Sequence, residues 1–94
     1  MLMSLIQNGT ISLANLGDSC GFILKDNGTM RKVTVDQTPS RPDENERIVN
    51  KNGFVQMRGD VARVDGCLAV SRAIGDKNLK QFIISEPEVH HHKI

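Results

Sequence analysis

The chain has 94 residues, 12 of them basic and 11 acidic, with a formal net charge of +1. A chain this short allows one small domain with a modest core. Its interspersed charges offer no basic face to nucleic acid or to an anionic membrane. Three Phe with no Tyr or Trp exclude a base-stacking platform and leave the core to Ile, Leu, Val and Met.

Met1 to Ile6 is apolar but lacks a basic start, a small-residue cleavage site and the length to span a bilayer, so it reads as a strand. Asn8-Gly9 and Asn27-Gly28 separate apolar runs, and Asn-Gly is the strongest short-range hairpin signal because a type I′ turn needs two positive φ values. The implied strands are Leu2 to Gln7, Thr10 to Leu16, Gly21 to Lys25 and Arg31 to Val35, an antiparallel meander. A helix follows, with Ser40 as N-cap, Pro42 and acidic residues in its first turn, and Lys51 with Gly53 at its exit. Only Ile48 and Val49 are apolar inside it, which predicts a narrow buried stripe on a solvated helix.

Phe54 to Met57 reads as a strand, followed by a second strand pair turning at Asp65-Gly66. Leu68 to Val70 reads as a buried strand end running into Ser71, Arg72, Gly75 and Asp76. That segment packs a hydroxyl, a cation, a flexible backbone position and a carboxylate into six residues. Arg72 and Asp76 are expected to pair with each other or to cap the following turn. In the tail, His90, His91 and His92 alternate across an extended strand, so they cannot converge on one metal ion. They read as an exposed terminal segment or an expression remnant.

Cys20 and Cys67 are too few for a disulfide framework and fit no zinc spacing. Without a signal peptide they imply a reducing, cytoplasmic or nuclear setting. Cys20 reads as a small buried filler.

Five blocks occur in order: Leu16-Gly17-Asp18-Ser19 after a strand, Glu46-Arg47-Ile48 in a helix closed by Gly53, Arg63-Val64 before Gly66, Leu68 to Asp76, and Ser85-Glu86-Pro87-Glu88-Val89. The ordered set resembles the middle of the metal-dependent serine/threonine protein phosphatases of the type 2C family. The resemblance implies an α+β fold, part of an α-β-β-α sandwich, mainly antiparallel strands and hairpins with one helix near 41–52. Residues 1–94 would then be a single partial domain. It also implies hydrolysis of phosphoserine and phosphothreonine in a phosphoprotein substrate, with Mg²⁺ or Mn²⁺ in the complete domain.

Carried over by position, the resemblance makes Asp18 a metal-edge carboxylate and Arg63 a phosphate-proximal cation. Gly17, Ser19, Arg72, Gly75 and Asp76 become motif scaffold. Asp18 also reads as a turn residue bonded to its own backbone, and Arg63 as a surface cation on a strand. The family's principal metal ligands match nothing in the chain, so no catalytic residue is assigned, no tightly bound metal is expected, and inactivity alone is predicted. The alternative is a non-catalytic phosphatase-like module that binds a partner or itself. Strands selected to pair with absent neighbours would leave open edges and predict a homo-oligomer, by strand exchange across a two-fold axis.

Overall fold

A computed structural model describes residues 1–94 as mostly antiparallel strands with one helix. The strands are β1 (Leu2–Gln7), β2 (Thr10–Asn15), β3 (Phe22–Leu24), β4 (Met30–Lys32), β5 (Val55–Arg58), β6 (Val61–Val64) and β7 (Glu88–Lys93), and the helix is α1 (Pro42–Asn50). Asn8 and Gly9 both have positive φ, so the β1-β2 hairpin turns as its sequence predicts. At the β3-β4 hairpin only Gly28 has positive φ, and its N–H bonds the Lys25 carbonyl. Asp26 and Asn27 therefore form the ordinary centre of that turn, and the expected type I′ geometry is corrected.

The single meander is also corrected. β2 pairs with β7, giving a three-stranded sheet ordered β1-β2-β7, while β3-β4 and β5-β6 are separate hairpins. Leu13 lies opposite Ser4 on one side and His90 on the other. The histidine-bearing tail is thus a sheet strand rather than a loose end. Its burial alternates along Glu88–Lys93, His91 Nδ1 lies 2.8 Å from Ser12 Oγ, and His92 Nδ1 lies 3.3 Å from the Arg31 guanidinium.

Pro42 does occupy the first helical turn, but Arg41 rather than Ser40 stands at the N-cap, without a side-chain cap. The Ser40 hydroxyl instead meets Thr38 Oγ1 at 3.2 Å. The buried face of α1 is Glu44 and Ile48, and Val49 is exposed. Positions four apart share a helix face, whereas adjacent ones do not. Ile48, Val64, Phe82 and Ile83 form the core, with Val55, Leu68, Ala73 and Leu79 against it. A Cβ on Gly53 would lie 2.8 Å from the Phe82 ring and 3.0 Å from Ile48. Close packing, not a special φ, requires glycine there.

The β5-β6 hairpin turns through Gly59 and Asp60, not Asp65-Gly66. Asp65 and Gly66 do adopt positive φ, but their turn closes only a bridge from Val64 to Leu68. Leu68 to Val70 is consequently not a strand. The 68–76 segment makes one parallel bridge, Arg72 to Ile84, and supplies Leu68 and Ala73 to the core. Cys20 and Cys67 are both free and exposed, which overturns the buried-filler reading of Cys20. No helix is long and apolar enough to cross a membrane.

Candidate functional site

β2 ends at Asn15, and the next residues turn the chain so that Gly17 is buried and Asp18 exposed. Gly17 has φ near +100°, a conformation that L side chains resist. Asp18 stands on the wall of a recess of about 230 Å³ shared with Met1, Leu16, Val70, Arg72 and Ile74. Two blocks some fifty residues apart in sequence therefore border one hollow. A larger open groove of about 460 Å³ runs beside β3, but its lining of Ile11, Ile23, Leu24, Lys25, His92 and Ile94 converges on no reactive group.

The recess holds no preformed metal centre. Nowhere in the chain do three or more His, Cys, Asp or Glu side chains come together, and the walls beside Asp18 are largely apolar. A hard divalent cation needs six or more oxygen ligands, so one carboxylate does not fit such an ion by itself.

Arg63 lies apart from this recess. Its guanidinium donates to the Cys67 carbonyl at 2.9 Å, fastening the Asp65-Gly66 turn. Arg72 does not pair with Asp76. Its Nε donates to Glu44 Oε1 at 2.5 Å and its Nη1 to the Glu86 carbonyl at 3.0 Å. Asp76 and Gly75 are exposed and both have positive φ, carrying the chain into a short 3₁₀ turn at Lys77–Leu79. Ser19 is exposed beside Asp18.

The buried partner is Glu44, 1% exposed, which holds Arg72 on one side and Arg47 on the other. Arg47 also donates to the Ser71 carbonyl at 2.8 Å. This Arg-Glu-Arg group ties α1 to the Ser71-Arg72 segment. A sequence signal for it existed, since Glu44 stands four residues before Ile48 on the same helical face.

A second ionic junction joins α1 to β7. Arg41 grips both carboxylate oxygens of Glu88, at 2.7 and 3.0 Å, and also binds Asp43. Hydrogen bonding to Arg41, with a further bond from Gln37, holds the Glu88 carboxyl down to about 2 despite partial burial. The same guanidinium lowers Asp43, and both carboxylates raise Arg41. Such bidentate, charge-assisted pairs fix geometry as well as charge.

The family model described as protein phosphatase 2C matches residues 1–94. Among curated proteins, "Probable protein phosphatase 2C 2" of Arabidopsis thaliana is 48% identical over 86 residues, covering 92% of this chain and 22% of the relative. "Probable protein phosphatase 2C 17" of the same plant is 46% identical, covering 90% of this chain and 30% of the relative. The chain thus spans less than a third of either. Among solved structures, a Caenorhabditis elegans sex determining protein aligns with TM-score 0.83 and 34% identity over 92% of this chain and 21% of its own. A serine-threonine phosphatase 2C from Toxoplasma gondii shares the fold at TM-score 0.86 and 24% identity, over 99% of this chain and 36% of its own.

Proposed function

The chain belongs to the protein phosphatase 2C family, and from that premise we propose that it forms the central part of a serine/threonine phosphatase domain of the α-β-β-α sandwich type. Such a domain acts with Mg²⁺ or Mn²⁺ on phosphoserine and phosphothreonine in a phosphoprotein substrate. The observation that carries this reading is the meeting of Gly17-Asp18 with Val70, Arg72 and Ile74 around one recess. Asp18 then borders the metal cluster of the complete domain, and Arg63, which stands apart from the recess, is assigned to the substrate phosphate by its motif position alone. Gly17, Ser19, Arg72, Gly75 and Asp76 act as scaffold. The free, exposed thiols Cys20 and Cys67 fit a reducing compartment, cytoplasmic or nuclear.

The test is a transplant. The matching segment of the 48% identical Arabidopsis relative is replaced by residues 1–94, and phosphate release from a phosphoserine peptide is followed with Mn²⁺. Turnover is expected, and Asp18→Asn is expected to lower it. A chimera that folds by circular dichroism yet releases no phosphate sinks the reading. The 94 residues alone are expected to give no turnover, because they bring no set of converging carboxylates.

A second reading, self-association, is favoured by the outer edge of β1. Met1 and Leu16 exchange main-chain hydrogen bonds, so by alternation Leu2, Ser4 and Ile6 turn their N–H and C=O groups outward, unpaired. The strand Leu2–Gln7 carries neither charge nor Pro, the usual protections of an edge. Size-exclusion chromatography at micromolar concentration is expected to show a dimer or larger species; a monodisperse monomer removes this reading.

A further inference from the structure

We infer that Gln37 is the positioning residue of the recess: it fixes the Gly17-Asp18 turn against the Ser71-Arg72 segment, so that Asp18 and Arg72 keep one relative placement. The inference deepens the phosphatase reading, which supplies the reason for holding Asp18 still, and rests on it for that alone.

Gln37 sits in a polar run between β4 and α1 and is fully buried. Its main chain and side chain grip Gly17 together. Oε1 accepts from the Gly17 N–H at 2.7 Å, and the Gln37 N–H donates to the Gly17 carbonyl at 3.0 Å. Nε2 donates to the Asn15 carbonyl at 3.1 Å and to Glu88 Oε1 at 3.0 Å. The Gln37 carbonyl accepts from the Ser71 N–H at 3.0 Å. The amide orientation follows from its neighbours, since Gly17 N–H can only donate and the Asn15 carbonyl only accept.

Three consequences follow from this bonding. The backbone of Gly17 is clamped at both polar groups, in a conformation that few residues adopt, immediately before Asp18. Ser71, immediately before Arg72, is held by the same residue from the other side. Glu88, already fixed by Arg41, anchors the far end of the Gln37 amide to β7. A buried amide with every donor used is costly to disturb and rigid while intact.

The experiment is site-resolved amide hydrogen exchange by NMR on the 94-residue chain and three variants. Gln37→Leu removes the polar grip at similar volume, and Gln37→Asn leaves an amide one methylene short of Gly17. In both, the Gly17 amide is expected to exchange on the order of tenfold faster, and the Asp18 and Arg72 resonances to shift. The amides of α1 and of the β5-β6 hairpin keep their rates. Gln37→Glu retains an acceptor for Gly17 but opposes the Glu88 carboxylate and the Asn15 carbonyl, and is expected to restore that one protection only in part. Unchanged Gly17 exchange in the Leu or Asn variant overturns the inference, as does a uniform loss across α1 and Gly17 in every variant. An inactive folded chimera would remove the phosphatase reading while leaving these rates untouched, so the two failures are distinguishable.

Discussion

The junction of α1 with the Ser71-Arg72 segment and the outer strand β1 are built in opposite ways. At the junction Gln37, Glu44 and Ser71 are all buried, and the charges on Arg47 and Arg72 converge on one carboxylate. On β1, Met3, Leu5 and Ile6 are more than half exposed although apolar. Met3 lies opposite Ala14, which lies opposite Val89, so an apolar stripe crosses the whole sheet on its open face. Polar residues inside and apolar residues outside reverse the common arrangement. The difference teaches that the motif residues Arg47, Ser71 and Arg72 are held by polar bonds to other segments, whereas β1 leaves its apolar side chains uncovered.

Breaking the junction is expected to have the largest effect. Glu44→Ala leaves two guanidinium groups without their buried counter-charge and should cost about 3–5 kcal/mol in urea denaturation, enough to unfold a small domain. An effect below about 1 kcal/mol would mean that the junction does not hold α1 in place. The Arg41-Glu88 pair comes next. A carboxyl near 2 when folded and near 4.5 when unfolded stabilises the fold above pH 4.5. That contribution, on the order of 3 kcal/mol at most, is lost as pH falls toward 2. Glu88→Gln should flatten this part of an acid titration followed by circular dichroism, and an unaltered profile would contradict it.

Gly53→Ala drives a methyl into Phe82 and Ile48 and should cost about 1–3 kcal/mol, read as a lowered melting temperature. Leu5→Lys should change stability by less than about 0.5 kcal/mol, yet shift the chain toward monomer in sedimentation velocity by placing charge on the open face. Loss of folding in that variant would show β1 to be as tightly committed as the junction.

Much of the local structure was legible before any fold was seen. Asn8-Gly9 specified its turn because both positions need positive φ, and Pro42 with its acidic neighbours marked the start of α1 to within a residue. The ordered motif blocks located Gly17-Asp18 and Ser71-Arg72 as parts of one architecture. Asp65-Gly66 misled for a physical reason: it makes a turn with two positive φ values, but a second turn at Gly59-Asp60 had already closed the strand pair. Arg72 misled likewise, because Asp76 is near in sequence while Glu44 is near in space.

By itself the sequence determined the Asn8-Gly9 turn, the helix and the family, since each rests on backbone preferences or residue order that need no distant partner. Only the tertiary structure decided that β2 pairs with β7, that Glu44 is buried between two arginines, and that Gln37 holds Gly17 and Ser71. Each of those joins segments tens of residues apart. A polar side chain in a polar run reveals its burial only when the groups that satisfy it are brought alongside.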